Sequence, residues 1–216
     1  MKTYDSFFFD LDGTLTDSGP GILNAIVYAL DTYGISVPDK NSLRPFVGPP
    51  LHESFQQFYG FDREKSLEAV GRFREYYNVT GIFENSVYPG IPELLESLRA
   101  AGKTLLVATS KPETAARRVL EHFGLQQYFH GVTGATADSS LVKKADIIAH
   151  MLREQRLRGG DVLMVGDREH DVLGARANGM DCLGVLWGYG SREELLSAGA
   201  CAVAETAQEA GRLLLA

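Results

Sequence analysis

Four aspartates, two hydroxyl residues and a lysine pair carry the chemistry this chain can offer. Asp10 and Asp12 follow the apolar run Phe7–Phe9 in "FFFDLDGTL". Thr109 and Ser110 close the run "LLVATS", Asp167 closes "VLMVGD", and Asp171 follows one helical turn later. Lys143 and Lys144 open the helical stretch that precedes the Asp167 run. If the three apolar runs are adjacent parallel strands, these groups converge at one sheet edge. Acidic groups gathered there repel one another unless a cation joins them. A donor set made of oxygen suits Mg²⁺ rather than zinc or copper.

The elements that must position these residues alternate along the chain. After the first strand, "GPGILNAIVYALDTYG" places Ile22, Ala25, Ile26, Ala29, Leu30 and Tyr33 on one helical face, with Pro20 at its start and Gly34 at its end. A segment punctuated by Pro38, Pro45, Gly48, Pro49 and Pro50 reads as loop with short helical pieces. "DREKSLEAVGRFREYYNV" then predicts a helix with Leu67, Val70, Phe73, Arg74 and Tyr77 near one face. No strand pattern stands between Asp17 and Asn85, so residues 16–84 read as a helical insertion, a cap domain. Residues 1–15 and 85–216 form the core. There the alternation becomes regular, from the helix "YPGIPELLESLRAAG" to the last strand "CAVA". Pro112 is expected in the first turn of the helix after "LLVATS". Alternating strands and helices imply a doubly wound, Rossmann-like parallel sheet, which binds its ligands at the C-terminal ends of the strands.

Composition narrows the class. The chain has 216 residues, 44% apolar and 23% charged, which is ordinary for a globular protein with a sizeable core. Its 21 basic and 28 acidic residues give a net charge of −7, and no basic stripe points to nucleic acid. No apolar run reaches the ~20 residues of a membrane helix. Two cysteines, Cys182 and Cys201, sit in apolar, strand-like surroundings and read as buried reduced thiols of a cytoplasmic protein.

The order of these parts resembles the haloacid dehalogenase superfamily of phosphotransferases, over essentially the whole chain. Its first motif matches "DLDGTL" at Asp10–Leu15, its second Thr109, its third Lys144 or Lys143, and its fourth "VLMVGDREHD" at Val162–Asp171. Phosphoglycolate-phosphatase-like and 5′-nucleotidase-like members are the most similar. The resemblance implies that Asp10 attacks phosphorus and forms an aspartyl-phosphate, while Asp12 moves protons to the leaving group and from water. It implies Mg²⁺ held by Asp10, Asp167 and the backbone carbonyl of Asp12, with Asp171 either holding metal-bound water or orienting the lysine. Lys144 and Thr109 would meet phosphate oxygens, with Ser110 in support and backbone N–H groups near Leu11 and Gly13 cradling the rest. Arg44 is a candidate anion contact from the insertion. The implied partner is a small phosphorylated metabolite, acted on by a monomer or homodimer.

Simpler readings stand beside these. Asp10 and Asp12 could be turn residues after a strand, and Thr109 or Ser110 could cap the next helix. The "KADII" pattern favours Lys144 over Lys143, although the family's commoner "KPxP" form is absent. Asp171 could be a surface acid. A phosphomutase or an inorganic pyrophosphatase would use the same core. A phospho-ligand-binding regulatory module is the non-enzymatic alternative, and it would not need both Asp10 and Asp12.

Overall fold

The computed structural model describes residues 2–136 and 140–216. The chain divides into two compact units, Met1–Asp17 with Val87–Ala216, and Ser18–Ser86.

The first unit is built on six parallel strands. Chain order begins with β1 (Ser6–Phe9), and the short extended pieces β2 (Thr16–Asp17) and β3 (Ser86–Val87) flank the insertion. The sheet continues with β4 (Thr104–Pro112), β5 (Gly131–Ala135), β6 (Val162–Gly166), β7 (Asp181–Val185) and β8 (Ala202–Ala204). Their spatial order is β5-β4-β1-β6-β7-β8. The chain builds outward from β1 on one side and then restarts at β6 on the other. Strand order therefore reverses at β1, and the crevice above that reversal is where such sheets take ligands.

Register explains why three phenylalanines precede the aspartates. Phe8 pairs with Leu106 and Met164, while Phe7 and Phe9 pair with Leu105, Val107, Leu163 and Val165. All are buried. A strand covered on both faces can be apolar at every position. Phe8, Leu106 and Met164 pack with Ile147, Ile148 and Met151 in one core.

Of the nine α-helices among the described residues, the second unit holds α1 (Gly19–Asp31), α2 (Leu51–Tyr59) and α3 (Arg63–Tyr77), with a 3-10 turn at Lys40–Phe46. The others are α4 (Ile91–Ala100), α5 (Glu113–His122), α6 (Lys144–Glu154), α7 (Glu169–Ala177), α8 (Arg192–Ala198) and α9 (Ala207–Leu215). The doubly wound core and the inserted helical region are as the sequence predicts.

Three local expectations are corrected, and one helix is added. The buried face of α3 is Ser66, Ala69, Phe73 and Tyr77, whereas Leu67 is half exposed and Arg74 is exposed. Small Ser66 and Ala69 are the residues that pack, and larger apolar Leu67 lies off the stripe. Pro112 ends β4 and occupies the N-cap position of α5, so that helix begins one residue later. Cys182 is buried in the core but Cys201 is exposed, just before the edge strand β8. Helix α9 follows the last strand, and Thr206 caps it by accepting from the Glu209 N–H at 3.1 Å.

Candidate active site

The site is assembled at the C-terminal ends of β1, β4 and β6, the three strands around the reversal. Asp10 directly follows β1, and its N–H donates to the Val165 carbonyl at 2.9 Å. That bond continues the sheet by one residue and fixes the Asp10 backbone. The chain then turns sharply. The Leu15 N–H donates to the Leu11 carbonyl at 2.9 Å, and the Gly13 N–H to the Thr16 carbonyl at 2.8 Å. The Gly13 N–H, expected to face phosphate, is thus engaged within the turn. Gly13 has φ +86°, a conformation that favours glycine.

Asp167 follows β6 and is fully buried. Thr14 Oγ1 donates to its Oδ1 at 3.0 Å, and the Tyr189 N–H to its Oδ2 at 2.9 Å. The Trp187 indole N–H donates to the Thr14 carbonyl at 2.9 Å, so the loop after β7 braces the turn after β1. Asp171 lies in the first turn of α7, where its Oδ2 accepts the Arg168 N–H at 3.1 Å. It packs over Gly166: a Cβ there would stand 2.3 Å from Asp171 Cγ. Asp171 is 1% exposed, which rules out the surface-acid reading.

Asp10, Asp167 and Asp171 each offer a carboxylate oxygen, all within 4.8 Å of one another. Lys144 enters this cluster from the start of α6. Its ammonium donates to the Ala108 carbonyl at 3.0 Å and lies 2.8 Å from Oδ1 of both Asp10 and Asp171. These two contacts are charge pairs: both Oδ1 atoms are buried without a hydrogen-bond partner. Lys143, one residue earlier, is exposed at the N-cap position of α6.

Electrostatics follow from burial. The Asp10 carboxyl is pushed up to about 6, chiefly by burial, with the Asp171 charge adding and Lys144 and Thr109 opposing. Burial, with Asp171 and Asp10 beside it, also holds the Asp167 carboxyl well above the usual carboxylate range. Burial alone would lower Lys144, but the Asp10 and Asp171 charges outweigh it and hold the ammonium above its usual value. Three buried carboxylates that bring oxygens within 4.8 Å of one another, with Asp10 and Asp167 held reluctant to ionise by burial, fit a divalent cation with oxygen ligands. Asp12 stands apart from the three: its carboxylate belongs to a different pair.

That pair includes a residue the sequence reading missed. Lys111 places its ammonium 2.9 Å from both oxygens of Asp12. Thr109 is buried within β4, and its Oγ1 accepts the Lys111 N–H at 3.3 Å. Ser110 points outward and is exposed, and neither hydroxyl caps α5. Leu11 is buried and closes the turn through its carbonyl. Arg44 lies exposed in the 3-10 turn of the Ser18–Ser86 unit.

A doubly wound sheet with a carboxylate cluster and a buried lysine at its reversal is a phosphotransfer architecture. The chain belongs to the haloacid dehalogenase-like hydrolase family, whose model matches residues 7–185. It is an enzyme of that family, a phosphoric monoester hydrolase. A protein of Pseudomonas aeruginosa named 5′-nucleotidase is 47% identical over 89% of this chain and 87% of its own length. A Mycobacterium tuberculosis protein named tyrosine-protein kinase PtkA is 46% identical over 84% of this chain, which spans 62% of that relative. A crystal structure of a predicted phosphatase from Clostridium acetobutylicum superposes with a TM-score of 0.94, at 43% identity and over 99% of each chain.

Proposed function

We propose that this enzyme is a Mg²⁺-dependent phosphatase of small phosphomonoesters that works through an aspartyl-phosphate on Asp10. The observation that carries the reading is the contact of Asp10 with Lys144 inside the cluster of Asp10, Asp167 and Asp171. Asp10, Asp167 and the Asp12 carbonyl would hold the cation, with Asp171 behind them. Four carboxylates at the site face two lysines, Lys111 and Lys144, so one divalent cation balances the formal charge. When bound, Mg²⁺ supplies positive charge against the phosphoryl oxygens.

The chain's own residues do the rest. Asp10, fixed by its backbone bond to Val165, presents a carboxylate oxygen to phosphorus. One charge facing a dianion at about 4 Å costs ~8 kcal/mol at an effective dielectric of 20, so the reaction needs fixed cations. Lys144 is one of them, buried and held by the Ala108 carbonyl. The Thr109 hydroxyl donates to a phosphoryl oxygen. Asp12 protonates the leaving oxygen and later takes a proton from the attacking water. The presence of both Asp10 and Asp12 supports a catalyst over a binding module, because binding alone needs no separate carboxylate for proton transfer.

Nucleoside monophosphates are the leading substrates, supported by the relative named 5′-nucleotidase. Phosphoglycolate comes next, supported by a Vibrio parahaemolyticus relative named phosphoglycolate phosphatase, 29% identical over 93% of this chain. Arg44 would meet an anionic group of the substrate. Free thiols at Cys182 and Cys201 suit a reducing cytoplasm, and no helix among the described residues is long and apolar enough to cross a membrane. The working unit is a monomer or homodimer, without nucleic acid. The test is phosphate release with Mg²⁺ over nucleoside monophosphates, phosphoglycolate, sugar phosphates and pyrophosphate. Release from nucleoside monophosphates above the others supports the reading. Release from pyrophosphate alone would favour the pyrophosphatase, and phosphate binding without release the regulatory module.

A further inference from the structure

Lys111 is a second buried cation at the site, apart from Lys144. It stands two residues beyond Thr109 on β4, and strand alternation turns both inward while Ser110 points out. The pairing of β4 with β5 shifts register between Ala108 and Pro112. Irregularities of this kind beside active sites re-aim side chains. Here the Lys111 ammonium spans to the turn after β1 and meets both Asp12 oxygens at 2.9 Å. The lysine side chain is 4% exposed and that of Asp12 20% exposed, so the pair is largely shielded from water yet Asp12 keeps an open side. The terminal torsion of an aspartate is broad and weakly preferred, so a free carboxylate rotates. A cation contacting both oxygens fixes its plane.

We propose that Lys111 is a positioning residue for this reaction, setting the place at which Asp12 exchanges protons. The role rests on the acid–base reading of Asp12 given above. In the first half-reaction the bond from phosphorus to the ester oxygen breaks as the bond to Asp10 forms, and the Asp12 proton passes to the departing oxygen. In the second, water bonds to phosphorus, its proton passes to Asp12, and the bond to Asp10 breaks. Both transfers need the Asp12 carboxylate within about 3 Å of the same region. In this role Lys111 acts through Asp12.

The test is a double-mutant cycle read as kcat/KM with Mg²⁺, for an alkyl phosphate and an aryl phosphate. This ratio covers steps through departure of the leaving group, so aryl esters, which leave without help, report less on Asp12. Lys111→Met should lower kcat/KM for the alkyl ester by ~100-fold in the wild-type background, within the range of one general acid. In the Asp12→Asn background the same change should cost less than ~3-fold, because residues acting as a unit are non-additive. The aryl ester should lose far less than the alkyl ester. Lys111→Gln, which keeps a donor but no charge, should fall between. It also carries the cycle if circular dichroism shows the methionine variant unfolded. Equal losses in both backgrounds, or equal losses for both esters, would overturn the role of Lys111 while leaving the phosphatase reading intact. A wild-type enzyme inactive on both esters would overturn that reading and this role with it.

Discussion

A Cβ on Gly13 would stand 2.2 Å from Oδ2 of Asp167. The turn after the first strand and the carboxylate after β6 are thus packed backbone against side chain. Gly13→Ala must either push Asp167 aside or force an alanine at φ +86° to move the turn. A displacement near 1 Å at a catalytic group can cost ~100-fold in rate, and a loss of that order is expected here. Phosphate release, with circular dichroism to show a retained fold, measures it. Activity near wild type would mean that Asp167 has slack.

The two buried cations differ from their exposed neighbour. Lys144→Met should cost ~100- to 1000-fold in kcat, the range for losing one fixed electrostatic donor, because Asp10 and Asp171 then face each other without a cation. Lys143→Met, at an exposed N-cap position, should leave kcat near wild type. Steady-state kinetics of the two variants side by side separate the lysines that the sequence left as alternatives.

Stability without metal should fall as pH rises. The Asp10 carboxyl, usually 3.8, is pushed up to about 6, with burial the leading cause. Between these values the folded chain keeps a proton that the unfolded chain has released, so stability declines with pH until the folded group ionises. Asp167, raised in the same direction, adds to the trend. A cation favours the ionised carboxylates, so the Mg²⁺-induced rise in Tm should be larger at about pH 7 than at about pH 5. Thermal melts in EDTA and in Mg²⁺ at both pH values check this. An equal Mg²⁺ effect at the two would place the cation elsewhere.

The core beneath the site should be unforgiving. Phe8 is fully buried between Leu106 and Met164, so Phe8→Ala should destabilise by ~3–5 kcal/mol, the usual range for a buried phenylalanine. Urea denaturation gives the difference. A loss under ~1 kcal/mol would show that the core refills the space, since the cost depends on how well a site can collapse.

Much of this arrangement is legible in the sequence where one residue's neighbours constrain it. Asp10 and Asp167 end continuous apolar runs, and such runs are strands buried on both faces, so their ends are site positions. Lys144 lies at helical spacing from Ile147, Ile148 and Met151, which marks it as inward. Lys111 was equally readable from alternation with Thr109. It was lost because Pro112 suggests a helix start, which takes the lysine out of the strand. The α3 face was misread because Leu67 outweighs Ala69 in hydrophobicity, whereas close packing favours the small residue. Helix α9 carried its own signal, the Thr206-x-x-Glu209 spacing of a capped N-terminus. The role of Arg44 was not legible, because an exposed arginine in a turn carries no periodicity to weigh it against.

The central claim is the covalent step at Asp10, and trapping the intermediate tests it most directly. Asp12→Ala should still be phosphorylated by an aryl phosphate, which needs little protonation to depart, but should lose the base that activates water. Acid-quenched after reaction with Mg²⁺ and an aryl phosphate, the variant should carry one phosphoryl group on the peptide that contains Asp10, and Asp10→Asn should carry none. A variant that turns over without any adduct, or an adduct on a peptide lacking Asp10, would contradict the account.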